Sequence, residues 1–143
     1  MFPEALAAAR DLDDHIKQTG KPVGPLHGLP ISIKDNFKVK GKDSTLGFVS
    51  WVDQPETSNS VLVDILRSLG AVLYVKTNVP TAMMIAESVN NTFGRTVNPL
   101  NRKLTSGGSS GGESALIAFG ASLLGVGTDI GMYLRKKGPD GLG

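Results

Sequence analysis

Apolar residues recur at helical spacing from Pro3 to about Gln18, through Leu6, Ala9, Leu12 or Asp13 and Ile16, with Pro3 near the start and Gly20 just past the end. This predicts an amphipathic helix. Lys21 to Pro30 is rich in Gly and Pro and leads into Leu29-Pro30-Ile31-Ser32-Ile33-Lys34, whose alternation predicts a short strand that leaves a lysine at its tip. A second helix is expected over Val61, Leu62, Ile65, Leu66 and Leu69, capped by Ser58 or Asn59 and ended by Gly70 in a left-handed conformation. The buried strand Ala71-Val72-Leu73-Tyr74-Val75-Lys76 follows. Pro80 is expected to open a short helix through Met83, Met84 and Ile85. Residues 113 to 121 read as helix and Leu123 to Asp129 as a strand. Strands alternating with helices imply an α/β fold, a mixed, mainly parallel sheet with helices on both faces, whose functional loops lie at strand ends.

Between these elements, Ser88 to Gly112 is dominated by Ser, Asn, Gly, Thr and Pro and reads as one long loop. A stretch of that length inside a compact domain is uncommon unless it serves a function, which makes it the first place to search for a site.

Composition narrows the classes. The chain has 143 residues, 40% hydrophobic and 20% charged, within the range of one globular domain. The longest nearly unbroken apolar stretch, Ala115 to Ala121, is far short of the roughly 20 residues that cross a bilayer, so no membrane span is expected. The opening Met1-Phe2-Pro3-Glu4 does not read as a secretory signal, and the absence of cysteine excludes a disulfide scaffold, so a cytoplasmic location is expected. The net charge of +2 arises wholly after residue 130, where Arg135, Lys136 and Lys137 outweigh Asp140. A basic group of that size at a chain end is ordinarily a solvated tail, and no nucleic-acid partner follows.

The chemistry concentrates in Ser106-Gly107-Gly108-Ser109-Ser110-Gly111-Gly112-Glu113, immediately before a helix. A phosphate-binding loop would bring backbone amides to an anion at a helix N-terminus, but this segment lacks the Gly-Lys-Ser/Thr ending, and Val97-Asn98-Pro99 ahead of it is no convincing strand. A flexible linker is the reading that composition alone favours. His15 and His27 have no third ligand at metal spacing, and no cofactor is implied. Met83 and Met84 suit core or surface packing, and Asp129 suits a strand-end cap or a site-orienting role equally.

Three segments change that balance: Gly24-Pro25-Leu26-His27-Gly28-Leu29-Pro30-Ile31-Ser32-Ile33-Lys34-Asp35, then Gly107 to Glu113, then Gly125-Val126-Gly127-Thr128-Asp129-Ile130-Gly131. In this order they resemble the amidase-signature family. Gly41-Lys42-Asp43-Ser44-Thr45-Leu46-Gly47 and Thr77-Asn78-Val79-Pro80 resemble its eukaryotic acetamidase and fatty-acid-amide-hydrolase branch rather than the tRNA amidotransferase subunits. The resemblance implies a Ser-Ser-Lys triad that hydrolyses small-molecule carboxylic amides through an acyl-enzyme. By motif, Lys34 resembles the base and Ser109 the bridging serine, which follows a cis peptide bond. A lysine ordinarily titrates near 10.4 and must be lowered by roughly three pH units to act as a neutral base near pH 7.

The same resemblance places the family's nucleophilic serine where this chain has Tyr133, in Gly131-Met132-Tyr133-Leu134-Arg135, and its oxyanion-hole amides at Ile130, Gly131, Met132 and Tyr133. A phenol oxygen lies several ångströms farther from the backbone than a serine oxygen, and errors of about 1 Å in placement can cost a hundredfold. Ser110, Ser122 and Thr128 are stand-ins that no spacing aims at the same point. Residues 1–131 are therefore expected to form an incomplete amidase-signature domain and 132–143 a divergent tail, inactive as an amidase. The alternative is a non-catalytic product: a pseudoenzyme, a binding protein, or a fragment from a truncated gene model. The abrupt loss of resemblance at Met132 suggests a splice or frame error. An incomplete sheet exposes apolar edges, so self-association is expected.

Overall fold

A computed structural model of the chain describes residues 1–129. Ile130, Gly131, Met132 and Tyr133, and the proposed tail, lie outside the described residues.

The elements run α1 (Phe2–Thr19), β1 (Pro30–Lys34), α2 (Val61–Ser68), β2 (Val72–Thr77), β3 (Val89–Asn90), β4 (Gly94–Arg95), β5 (Val97–Asn98), β6 (Asn101–Thr105), α3 (Gly111–Ala118) and β7 (Leu124–Val126). The main sheet has the order β2-β1-β7, and β1 pairs parallel with both neighbours. Alternation along β1 sorts the two faces. Ile31 and Ile33 are fully buried and pack with Val39, Val63, Leu66, Ala71 and Leu73, which places α2 on one face. Ser32, of opposite parity, meets Glu113 of α3 on the other. Lys34 shares the parity of Ser32 and is delivered to the α3 side. The expected arrangement of helices on both faces of a parallel sheet is what forms.

Helix α1 ends at Gly20, whose left-handed φ of 68° lets its amide donate to the Ile16 carbonyl. Helix α2 ends before Gly70, also left-handed at φ 91°. Its N-cap position is Ser60 rather than Ser58 or Asn59, and no side chain caps it. The Ser60 hydroxyl accepts instead from the Lys38 amide at 2.8 Å, and Asn59 Oδ1 from the Lys40 amide at 2.7 Å. Both side chains are spent on pinning the segment that follows β1.

Two expectations fail. No helix opens at Pro80. Thr81–Met83 forms a single 3-10 turn with Ala82 and Met83 at φ 55° and 57°, a left-handed backbone that a right-handed helix cannot continue. The Ala82 amide donates to the Leu46 carbonyl, so contact with the Gly47 turn overrides the local pattern. Ser88 to Gly112 is not one long loop either: it holds the antiparallel pairs β3–β4 and β5–β6. Asn90 Oδ1 accepts from the amides of Thr92 and Phe93 and closes the first turn, and Asn98 Oδ1 accepts from Leu100 in the second. Val97–Asn98 is thus a short strand after all, though it pairs with β6 and does not run directly into the glycines.

Candidate active site

Lys34, the last residue of β1, is wholly buried. Its Nζ donates to Ser109 Oγ at 2.7 Å, to the Thr128 carbonyl at 3.0 Å and to Thr128 Oγ1 at 2.8 Å. Three acceptors match the three protons of an ammonium. In the neutral amine, two protons go to the two Thr128 oxygens, and the lone pair is left facing Ser109. The arrangement then lets the Ser109 hydroxyl donate to the lysine while its oxygen remains able to accept a proton from a third group.

Burial pushes the Lys34 amine down to about 8, against the opposing pull of the Asp129 and Glu113 charges. That is less than the depression a base at pH 7 requires, so the neutral form becomes the major one only above about pH 8.

Hydrogen bonds hold the serine loop in place, and the linker reading is displaced. The Gly111 amide donates to Ser88 Oγ at 3.0 Å, the Gly112 amide to the Asn78 carbonyl at 3.2 Å, and the Ser106 hydroxyl to the Thr96 carbonyl at 3.1 Å. The peptide bond between Gly108 and Ser109 is cis. A Cβ on Gly111 would lie closer than 3.0 Å to Ser88 Oγ and Ser106 Oγ, and one on Gly112 closer than 3.0 Å to the Asn78 backbone. These two glycines let α3 begin two residues earlier than the sequence pattern indicates. Ser110 Oγ donates to the Thr128 carbonyl at 2.8 Å and accepts from the Thr128 amide at 3.1 Å. This tie draws the chain out of β7 after Val126, and the strand is shorter than Leu123–Asp129.

The structure thus brings Lys34, Ser109, Ser110 and Thr128 together. Thr128 had no spacing to mark it, yet it is the lysine's second partner. Ser122 lies elsewhere, at 2.9 Å from Ser32 Oγ, with its hydroxyl directed to the Leu124 carbonyl. The charge of Asp129 favours the ammonium of Lys34.

Sequence reasoning quoted Glu113 and gave it no role. It is a buried carboxylate in the first turn of α3, and burial raises its proton affinity against the hydrogen bonds of Ser32 and Thr77 and the charge of Lys34. Ser32 donates to Oε2 at 2.5 Å and Thr77 to Oε1 at 2.6 Å. A second buried lysine, Lys76 of β2, pairs with Asp35 at 3.4 Å and donates to the Asp43 carbonyl and Ser44 Oγ. Burial lowers its pKa as well, against the pull of Asp35. His27 Nδ1 accepts from the Val23 amide, and among the described residues no group of three His, Asp or Glu could hold a metal. No helix among the described residues is long and apolar enough to cross a membrane.

A parallel sheet that presents a buried lysine to a serine loop is the architecture of a known class. The family model for amidases matches residues 1–132, and the chain belongs to the amidase family. An acetamidase from Emericella nidulans is 52% identical over 135 residues, covering 94% of this chain and 25% of the relative. An acetamidase from Aspergillus oryzae is 53% identical over the same length and shares. The solved structure of a fatty acid amide hydrolase superposes with a TM-score of 0.87 at 46% identity, covering 91% of this chain and 23% of that one. The chain spans about a quarter of the length of the relatives it matches. The acetamidase and fatty-acid-amide-hydrolase branch named by the sequence is where these similarities fall.

Proposed function

We propose that this chain carries the lysine and bridging-serine part of an amide-hydrolysing site, with Lys34 as the base and Ser109 as the proton relay, and that the chain as given does not turn over amides. The observation that carries the reading is the 2.7 Å hydrogen bond between Lys34 Nζ and Ser109 Oγ, made by a lysine with no exposure to solvent. A hydroxyl on the far side of Ser109 could pass its proton through Ser109 to the neutral amine and attack an acyl carbon. In this chain the residue at the nucleophile's place in the motif is Tyr133, whose oxygen stands too far from the backbone to replace a serine oxygen. The backbone amides of Ile130, Gly131 and Met132 are the proposed oxyanion donors. Small carboxylic amides are the proposed substrate class, by kinship with acetamidases. Residues 1–131 are read as part of an amidase domain and 132–143 as a divergent tail.

The test is a chimera in which residues 1–129 replace the matching segment of the Emericella nidulans acetamidase, whose own nucleophile and remaining three quarters are kept. Acetamide hydrolysis that falls by at least about a thousandfold on Lys34→Ala, and on Ser109→Ala by a similar factor, is expected. A chimera whose turnover survives Lys34→Ala would overturn the assignment of the base.

A further inference from the structure

Below the lysine, three strands and a helix converge on one carboxylate. Glu113 reaches from the first turn of α3 to accept from Ser32 of β1 and from Thr77 of β2, one hydroxyl to each oxygen. The neighbouring strand β7 supplies Gly125 beside it. A Cβ on Gly125 would lie closer than 3.0 Å to both Glu113 Oε2 and Ser32 Oγ, so only a glycine leaves room for the carboxylate. Both O–H···O contacts fall in the short range of charge-assisted bonds, and both oxygens act as acceptors, as in an ionised carboxylate.

We infer that Glu113 is a positioning residue for the Lys34–Ser109 pair: its buried carboxylate fastens the start of α3 to the sheet and stabilises the ammonium that forms when Lys34 takes a proton. This deepens the reading of Lys34 as a base and rests on it. Ser109 lies two residues before α3, so fastening the first turn fixes the loop that holds Ser109 at 2.7 Å from Nζ. Burial weakens Lys34 as a base, and the carboxylate opposes that loss. Among the described residues, the charged groups acting on Lys34 are Glu113 from α3 and Asp129 after β7, and both favour the ammonium. From β2 the carboxylate accepts from the neutral hydroxyl of Thr77, while the neighbouring Lys76 pairs with Asp35.

The experiment uses the whole chain with carbon-13 lysine and glutamate, observed by NMR in solution or as a sedimented sample. The Cε resonance of Lys34, assigned with Lys34→Arg, is followed against pH. Glu113→Gln should lower the Lys34 midpoint by about one pH unit. Glu113→Asp, which keeps the charge, should recover part of that shift. A Glu113→Gln chain with a native spectrum and an unmoved Lys34 midpoint would overturn the inference. Should Glu113→Gln lose the native spectrum, the unaltered chain decides. Its Glu113 carboxyl carbon must show an inflection at the Lys34 midpoint, since coupling between two sites is reciprocal, and a featureless curve there would overturn the inference equally. No turnover is measured, so an inactive chimera leaves this result interpretable, and an unmoved midpoint leaves the assignment of Lys34 as base standing.

Discussion

Burial of Lys34 ties the stability of the fold to pH. Its folded-state value is about 8 against an ordinary 10.5, so folding disfavours its protonated form. Above about pH 10.5 the amine is neutral in both states and burial carries no ionisation cost; as pH falls toward 8 the unfolded chain gains a proton that the folded one lacks. Stability from this group therefore drops over that window and is flat below it, by about 3 kcal/mol in all. Replacing Lys34 by Met removes the dependence while depriving Ser109 Oγ and Thr128 Oγ1 of their lysine partner, a constant cost. The stability of Lys34→Met relative to the unaltered chain should fall as pH rises from about 8 to about 10.5, read from urea melts at each pH. A difference constant across that window would contradict the burial account. At the same scale, Gly125→Ala should destabilise by about 1–3 kcal/mol in the same melts, because its methyl displaces the Glu113 carboxylate.

At the scale of elements, packing separates positions that the hydrophobic pattern treats alike. Ile33 in β1 is fully buried in the core, whereas Val61 at the start of α2 is 74% exposed. Ile33→Ala should cost about 2–5 kcal/mol and Val61→Ala less than about 0.5, measured by chemical denaturation. Helices α1 and α2 and strands β1 and β2 were legible in the sequence because apolar residues recur at the period of each element and glycines mark the helix ends, although Leu6, Ile16, Val61 and Ile65 of the helices stay exposed. The β3–β4 and β5–β6 pairs were not, since β3, β4 and β5 have two residues each, too short for a period, and the five residues of β6 are all exposed; both pairs are closed by turns that Asn90 and Asn98 cap. The turn after Pro80 was misread because its conformation comes from contact with the Leu46–Gly47 segment, far away in sequence. At the site, the pairing of Lys34 with Ser109 was legible through motif resemblance. The contacts of Thr128 and Glu113 were not, because each depends on the sheet bringing β7 and α3 beside β1.

Taken whole, the described chain is a three-stranded sheet with two outer edges that no strand covers among the described residues. Beside one of them, the connection from α3 to β7 presents Phe119 and Leu123, 74% and 78% exposed. An exposed strand edge next to large apolar side chains invites pairing with another chain. The isolated chain should sediment as dimers or larger species, and Leu123→Lys should shift it toward monomer; a monomeric unaltered chain at micromolar concentration in analytical ultracentrifugation would contradict this. The central proposal, however, concerns chemistry: Lys34 and Ser109 are paired, and Tyr133 in the nucleophile's place in the motif is proposed to leave the chain inactive. The most direct measurement is hydrolysis of a small amide and its ester by the unaltered 143-residue chain, beside Lys34→Ala. The account predicts identical background rates for both; hydrolysis above background that disappears with Lys34→Ala would contradict it.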